Sequence, residues 1–201
     1  MYDPLFDYIE RYSDAQLLPF DRDRIASIMK PKKLRRKQLF LEEGSICAYT
    51  GFILKGAVRQ FSISENGMEC INQLCIENWW ITDRESFIHR IPSTYYIEAW
   101  EDTDLLVFRR SDLDLLLEIP AIQRMFWKMS ENNHIAFQKR LDAAISLNAL
   151  QRYERFLRCY PEIVQRFPLH HIASYLGVVK ETLSRVRKPS KKQAHPERWK
   201  A

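Results

Sequence analysis

The sequence lacks the features that mark membrane-spanning and exported proteins. The chain has 201 residues, and none of its apolar stretches approaches the roughly 20 residues that a bilayer-spanning helix needs. Residues 1–4 show no basic region followed by an apolar one, which is how a signal peptide begins. We therefore expect a cytoplasmic protein with no membrane partner.

Cysteine and glycine are scarce, with 4 and 5 residues, and the motifs built on them are absent. The sequence has no glycine-rich phosphate loop, no nucleophile elbow and no H-E-x-x-H pattern, so it indicates no enzyme. The cysteines form no C-x-x-C pair and have no histidines at metal-ligand spacing. We expect buried free thiols, and no metal, at Cys47, Cys70, Cys75 and Cys159.

Positive charge is concentrated near the C-terminus. From Leu150 onward the chain has 12 lysines and arginines against 4 aspartates and glutamates, a formal charge of +8, whereas the preceding 149 residues have 19 against 22 and a charge of −3. Hydrophobic residues make up 46% of the chain and charged residues 28%, which is ordinary for a globular protein. The asymmetry predicts a polyanion-binding C-terminal end.

Residues 170–188 have the spacing of a helix-turn-helix. Ile172 and Leu176 lie one turn apart and form the inner face of a first helix, with Ala173 at the close crossing. Gly177 follows where a left-handed residue often ends a helix. A second helix is predicted over 179–188. The alternative is a solvated amphipathic helix that follows another helix by accident.

The outward face of the predicted second helix has the chemistry of base reading. Arginine and lysine donate to guanine, a carboxylate accepts from cytosine, and hydroxyls suit phosphates or base edges. His170 is interpreted as a cap or phosphate contact rather than half of a catalytic pair. The candidate DNA-binding residues are His170, Lys180, Glu181, Thr182, Ser184, Arg185 and Lys188.

The N-terminal part of the chain changes from helical to β-rich patterns. Two short helices are predicted in the first 30 residues, with Asp3 and Asp21 as N-caps. Asn66-Gly67 predicts a hairpin between the third and fourth strands. Evenly spaced short strands favour a small sandwich or barrel. The predicted strands are 38–41, 52–54, 58–63, 70–75, 95–100 and 105–108.

A long helix is predicted to start near Ala121, with apolar residues three and four apart over about six turns. It either lies on its own domain or forms a parallel dimer seam, in which Asn133 sets the register. We favour the dimer, because paired helix-turn-helix units read half-sites one DNA turn apart. The predicted dimer-helix residues are Ile122, Met125, Met129, Asn133 and Ala136.

The order of these parts resembles the Crp/Fnr family of bacterial transcription regulators over nearly the whole chain. Residues 39–44, 52–59 and 64–69 are similar to strand and turn signatures of the cyclic-nucleotide-binding fold, and residues 99–108 to its closing strands. At the DNA end, residues 180–185 are similar to the family's recognition-helix pattern. The resemblance implies a homodimer on double-stranded DNA, RNA polymerase as a possible further partner, and Glu181 and Arg185 as base readers.

The sequence departs from the family pattern at the effector pocket that the resemblance implies. Ser93 stands where cyclic-AMP-binding members have the phosphate arginine, and Tyr95 replaces a small residue. The loss of a bidentate arginine counts against cyclic-nucleotide binding, so no cofactor is assigned and the small-molecule effector is unknown. Aromatic residues either line a cavity or fill it, and we favour filling. The candidate pocket residues are Trp79, Trp80, Thr82, Asp83, Ser93, Thr94 and Tyr95.

The predicted fold class is α+β, with three successive parts. Residues 1–110 form a double-stranded β-helix of the jelly-roll type, residues 111–148 a linker and long dimerisation helix, and residues 149–201 a small helical helix-turn-helix domain with a basic tail. The predicted function is sequence-specific transcription regulation. The alternative is a ligand-sensing β-roll that acts through protein partners, with a vestigial helix-turn-helix.

Overall fold

Two four-stranded antiparallel sheets pack face to face in the N-terminal part of the chain. The structure is a computed structural model that describes residues 1–187. The strand order is β1-β8-β3-β6 in the first sheet and β2-β7-β4-β5 in the second. The strands are β1 (Lys30–Leu34), β2 (Leu39–Leu41), β3 (Tyr49–Lys55), β4 (Val58–Ile63), β5 (Glu69–Cys75), β6 (Trp80–Ile81), β7 (Tyr96–Ala99) and β8 (Thr103–Arg109).

Nine helices accompany the strands within residues 1–187. Two precede the sandwich, one follows β6, and six follow β8. They are α1 (Asp3–Ser13), α2 (Pro19–Ile28), α3 (Arg84–His89), α4 (Leu113–Leu117), α5 (Pro120–Ser146), α6 (Ala149–Cys159), α7 (Pro161–Arg166), α8 (Leu169–Tyr175) and α9 (Lys180–Arg187). None of them is long and apolar enough to cross a membrane.

The predicted hairpin is confirmed as β4 and β5. Val58 pairs with Cys75 at one end and Ile63 with Glu69 at the other, and Gly67 in the turn has a φ of 75°. The sequence patterns missed β1 and β6. β1 begins Lys30-Pro31-Lys32-Lys33 and shows no apolar alternation, because it is an edge strand, where lysine and proline are tolerated.

The turn between β3 and β4 requires glycine. Gly56 has a φ of 105°, and a Cβ there would lie 2.5 Å from the Thr103 hydroxyl and 2.6 Å from the Asp102 carbonyl. An L side chain would meet both a backbone penalty and a steric clash. This close approach sets the start of β8 against the β3–β4 turn.

The main core fills the space between the sheets and extends to α1 and the first half of α5. Phe52, Phe108 and Leu106 are almost fully buried, and the Tyr8 ring of α1 packs 5.2 Å from that of Phe52. Ile122 and Met125 of α5 belong to this same core. Apolar side chains from four elements therefore form one continuous interior.

Two predicted helix caps lie one or more residues inside their helices. Asp3 is the first residue of α1, whose N-cap is Tyr2. Asp21 is the third residue of α2, where its carboxylate accepts a hydrogen bond from the Leu18 amide at 3.3 Å. In both helices a proline occupies the first or second position, which moves the N-terminus ahead of the predicted cap.

The long helix starts where predicted, but two residues of the predicted dimer face are buried within the chain. Ile122 and Met125 are 3% and 0% exposed, because the first half of α5 packs on α1 and the sandwich. Met129 is half-buried, whereas Asn133 and Ala136 are exposed. Ile122 and Met125 therefore cannot meet a second copy, which corrects the composition of the predicted dimer face.

Two of the four cysteines are exposed, contrary to the expectation that all are buried. Cys47 and Cys75 are buried and Cys70 and Cys159 exposed, and all four are free thiols. Burial raises the pKa of the Cys75 thiol to about 12. Cys70 escapes burial because it lies on β5 near the hairpin turn. Within residues 1–187 no three metal-ligating side chains converge.

Candidate nucleic-acid interface and effector site

The α8–α9 pair is built around a small set of apolar contacts. Gly177 has a φ of 64°, and the Val178 amide donates to the Ala173 carbonyl at 3.0 Å, so the chain reverses directly after α8. Leu183 of α9 is fully buried in a cluster with Ile172 and Phe156. The pair α8 and α9 thus coincides, to within a residue or two, with the helix-turn-helix predicted over residues 170–188.

One face of α9 remains open to solvent. The side chains of Lys180, Glu181, Thr182 and Ser184 are exposed, and His170 of α8 is exposed as well. The backbone of Arg185 continues α9. Lys188 and the predicted unstructured basic tail lie outside the described residues. Four predicted DNA-binding side chains therefore share one exposed helix, opposite the buried Leu183.

α8 is docked on β5 of the sandwich through a buried charge cluster that the sequence did not predict. The Arg59 side chain is only 8% exposed, and it forms ion pairs with Glu69 and, at 3.0 Å, with Glu98. Its guanidinium also lies 2.9 Å from Nε2 of His171. Since arginine only donates, Nε2 of His171 must accept.

The environment of His171 holds its imidazole neutral. Burial, the positive charge of Arg59 and the neighbouring His170 lower the pKa of His171 to about 4. The ring packs edge-on against Trp100 at 4.6 Å between centroids. His170 and His171 therefore differ in role, because one is exposed at the surface and the other is part of the contact between α8 and the sandwich.

A second arginine fixes the segment before α8. Arg166 donates to Glu77 and, at 3.1 Å, to Glu101, and its carbonyl accepts from Nε1 of Trp100 at 3.0 Å. These charge-assisted bonds to Glu101 and Glu77 raise the pKa of Arg166. The α7–α8 connection is thereby held against the β7–β8 turn.

Two further polar contacts join the C-terminal helices to β5. The Ile71 amide donates to the Ser174 hydroxyl at 2.9 Å, and that hydroxyl donates to the Glu69 carbonyl at 3.1 Å. Arg140 of α5 donates to the Asn72 carbonyl at 3.2 Å. Side chains thus bond to the edge of β5, which has no strand on its outer side.

The predicted effector residues do not form one pocket. Trp80 points inward, with its ring 5.1 Å from Phe52 and 5.8 Å from Phe126. Trp79 faces the opposite way and packs 5.9 Å from Tyr160 of the C-terminal helices. Thr94 is exposed and Tyr95 half-buried. Trp80 therefore packs against the main core, whereas Trp79 packs against both that core and the cluster of the C-terminal helices.

The position predicted for a phosphate contact is occupied by the protein's own carboxylate. Asp83 is 6% exposed and caps α3 by accepting from the Glu85 and Ser86 amides at 3.1 and 3.4 Å. The Ser93 hydroxyl donates to the same carboxylate at 2.7 Å. Thr82 is half-buried beside Cys47, with its hydroxyl 3.5 Å from the Tyr49 carbonyl. The Asp83 carboxylate thus already accepts three hydrogen bonds and places a negative charge beside Ser93.

Comparison with known proteins supports this architecture at the level of fold. Residues 31–119 match the family model of the cyclic nucleotide-binding domain. This segment has the fold of a cyclic nucleotide-binding domain. Among curated proteins, no sequence relative matches the chain.

Several solved structures share most of the chain's fold at low sequence identity. FixK2 from Bradyrhizobium japonicum is 19% identical, with 79% of this chain and 82% of that chain covered and a TM-score of 0.67. The c-di-GMP responsive global regulator CLP from Xanthomonas campestris is 12% identical, with 84% and 89% covered and a TM-score of 0.65. A CooA mutant from Carboxydothermus hydrogenoformans is 15% identical, with 88% and 80% covered and a TM-score of 0.63.

The residues that attach α8 to the sandwich were not predicted from the sequence. Arg59 and Gln60 are adjacent polar residues between the apolar Val58 and Phe61 of β4, and both are buried. An arginine in this pattern could have predicted a buried ion pair, because a buried arginine needs carboxylate partners. Those partners, Glu69 and Glu98, come from two other strands, so only the sheet order identifies them.

Proposed function

We propose that this chain is a homodimeric transcription regulator of the Crp/Fnr type, in which the α8–α9 pair binds double-stranded DNA. Residues 1–110 form the regulatory domain, residues 111–148 the linker and dimer helix, and residues 149–201 the DNA-binding domain. The observation that carries the proposal is the exposed face of α9, which combines Lys180 and Glu181 with hydroxyl side chains. The similarity of the fold to FixK2 and CLP adds support.

The electrostatic balance of the chain supports the same assignment. The C-terminal part from Leu150 has a charge of +8, and a DNA duplex presents one negative charge per roughly 1.7 Å of its axis. On α9 the acidic Glu181 stands beside Lys180. A carboxylate in a basic surface repels phosphates, so it suits a base contact to cytosine N4.

The test is specific binding to an operator selected from a random-sequence library. Glu181→Ala and Arg185→Ala are each expected to weaken binding by about 1–3 kcal/mol and to relax the preference at one base position. Glu154→Ala, which changes an exposed glutamate of α6, is the matched control and should bind as wild type. Selection that yields no preferred sequence, with only micromolar non-specific binding, would contradict the proposal in favour of a sensor with a vestigial helix pair.

The proposed dimer face is the exposed apolar stripe of α5. Trp127, Phe137, Leu141 and Ile145 are 65%, 55%, 51% and 79% exposed. At about 100° per residue they project within roughly 80° of one another, and they lie away from the buried Ile122 and Met125 side. Four large apolar side chains on one exposed helical face are typical of an interface.

Oligomeric state tests this face directly. We expect the wild type to sediment as a dimer and Leu141→Glu to sediment as a monomer, because a charge placed in an apolar seam is desolvated without a partner. Ile88→Glu on α3, at a residue 40% exposed, is the control and should remain dimeric. A monomeric wild type would overturn the dimer proposal.

We propose further that the sandwich binds no cyclic nucleotide at the Asp83–Ser93 position. The carboxylate of Asp83 already uses the α3 amides and the Ser93 hydroxyl. Thermal unfolding with cyclic AMP, cyclic GMP and c-di-GMP should give no shift. A stabilisation of several degrees by one of them would contradict this assignment.

A further inference from the structure

A second basic surface lies on the sandwich, in a part of the chain whose overall charge is negative. Six lysines and arginines occur within the eight residues 30–37, with no acidic residue among them. They occupy the edge strand β1 and the turn that leads to β2. The β1 basic surface, as we name it, consists of Lys30, Lys32, Lys33, Arg35, Arg36 and Lys37.

Most of this charge is not neutralised within the protein. Within residues 1–187, Lys33 is the one member with a carboxylate within 4.0 Å, Asp104 at 3.3 Å. Lys32 is half-buried with its ammonium 5.5 Å over the Tyr49 ring, and the other five side chains are exposed. Lysines on an edge strand also prevent sheet-to-sheet aggregation, but that role does not extend to the turn at Arg35 and Lys37.

The basic turn lies next to the C-terminal helices. The Arg36 amide donates to Asp102 at 2.7 Å and the Lys37 amide to the Ala99 carbonyl at 2.7 Å. The Arg36 guanidinium is 5.5 Å from the Trp100 ring, which contacts His171.

An open groove of about 760 Å³ runs between this turn and the α7–α8 connection, lined by Arg36, Trp100, Glu101, Asp102, Gln165, Arg166, Phe167 and Pro168. The β1 basic surface therefore adjoins the C-terminal unit across a groove in which two arginines are balanced by Glu101 and Asp102.

We infer that the β1 basic surface binds the phosphate backbone of DNA flanking the operator half-site. This inference rests on the proposed function, because it extends the footprint of the same DNA. The first helix of a helix-turn-helix crosses the DNA backbone, and the turn at Arg35 to Lys37 lies beside the residues that precede that helix here. A five-residue strand spans about 17 Å, which is about the axial rise of five base pairs of a DNA duplex.

Duplex DNA fits the surface better than an acidic protein segment does. The charges follow one strand and one turn without an apolar anchor among the exposed members, and protein interfaces depend on buried apolar or aromatic anchors. Evenly spaced phosphates require only positive charge, since backbone contacts are independent of sequence.

The experiment compares two duplexes and two charge variants of the full chain. One duplex ends at the operator, and the other extends beyond each end by about one helical turn, roughly 10 base pairs. Arg35→Gln/Lys37→Asn removes two exposed charges, with asparagine chosen because Lys37 has a φ of 69°. Arg84→Gln/Arg90→Asn is the matched control on α3, which follows β6 at the opposite edge of the same sheet.

Wild type should bind the long duplex more tightly than the short one, and the turn variant should lose this gain. Removing two phosphate contacts should reduce the steepness of log K against log salt by about 1.8 on the long duplex. The ratio of the wild-type affinity to the variant affinity should therefore fall about 12-fold when the salt concentration rises from 50 to 200 mM. On the short duplex the two proteins should bind equally. The control should match wild type on both.

The outcomes separate this inference from the function on which it rests. If wild type recognises no operator, the proposed function fails. If wild type binds its operator but the turn variant keeps the wild-type gain and salt slope, the flanking-DNA inference is overturned. If that variant instead loses only promoter activity with RNA polymerase present, the surface binds a protein and the assignment to DNA is likewise overturned.

Discussion

The interior of the sandwich and the contact between the sandwich and α8 are held together by different chemistry. In the interior, Phe52, Leu106 and Phe108 are at most 2% exposed and pack on other apolar side chains. At the contact, Arg59, His171 and Ser174 join strands and helix through ion pairs and hydrogen bonds. The hydrophobic effect does not depend on the direction of the contact, whereas a hydrogen bond is strong only over a narrow range of distances and angles.

This difference indicates what each region does in the molecule. The sandwich is stabilised by area removed from water, so small rotations change it little. The orientation of α8, and with it α9, depends on a few directed bonds to Glu69, Glu98 and the edge of β5. A change in charge at the contact is therefore expected to alter the position of α8 and α9 while leaving the sandwich folded.

The largest effect should come from breaking the apolar interior. Phe52→Ala removes a fully buried ring that packs against Tyr8 and Trp80, and it is expected to lower the free energy of unfolding by about 3–5 kcal/mol. Urea denaturation measures this. Phe20→Ala, at a residue 72% exposed, should change the same quantity by no more than about 0.5 kcal/mol. Equal effects of the two would refute the assignment of Phe52 to the core.

A smaller loss is expected at the polar contact. Arg59→Met keeps an apolar stem but leaves Glu98, whose side chain is 15% exposed, without its cation. Removing a charged hydrogen-bond partner costs about 1.5–3 kcal/mol. Limited proteolysis between α5 and α6 should accelerate, because α8 is released from β5. Arg84→Met on α3 is the control, and unchanged proteolysis of Arg59→Met would show that the cluster does not hold the helices.

The contact should also weaken in acid. The pKa of His171 is lowered to about 4, whereas that of an unfolded histidine is about 6.5, so the unfolded chain binds the extra proton between these values. The contribution of His171 is therefore present above about pH 6.5 and is lost as the pH falls toward 4. In the His171→Gln variant, the urea midpoint should change less between pH 7 and pH 5 than it does in wild type. His170→Gln, at the exposed neighbour, should leave the pH dependence intact.

The smallest effect tests the edge of β5. Ser174→Ala removes the hydroxyl that accepts from the Ile71 amide, and about 1 kcal/mol of stability should be lost. Hydrogen exchange at the Ile71 amide should become faster. Ser184→Ala, at an exposed position of α9, should leave that amide unchanged, and equal exchange in both variants would mean that Ser174 does not protect the strand.

Local patterns predicted most of the elements. The Asn66-Gly67 hairpin and the start of α5 near Ala121 both appear as expected, because turn chemistry and helical periodicity act over a few residues. β1 was missed because an edge strand with exposed lysines needs no apolar alternation. β6 was missed because it has only two residues.

Of the candidate sites, one was predicted from the sequence and the others depend on tertiary contacts. Sequence periodicity identified the exposed face of α9, since Leu183 marks its buried side. It did not predict the surroundings of the effector residues, because Trp80 packs against Phe52 whereas its neighbour Trp79 reaches Tyr160 of the C-terminal helices. It also extended the predicted seam of α5 over Ile122 and Met125, because the packing of α1 and the sandwich on the first turns of α5 is a tertiary contact.

The sequence alone determined the order of β-rich and helical parts, the α8–α9 pair with its glycine turn, and the basic C-terminal end. These follow from periodicity, backbone preference and charge, which each residue has before it folds. Tertiary structure decided that Asp83 fills the position opposite Ser93, that Arg59 and His171 hold α8 on β5, and that the basic turn at Arg36 lies beside Trp100. Those contacts join residues up to 112 positions apart, so the packing of the strands and helices had to bring them together.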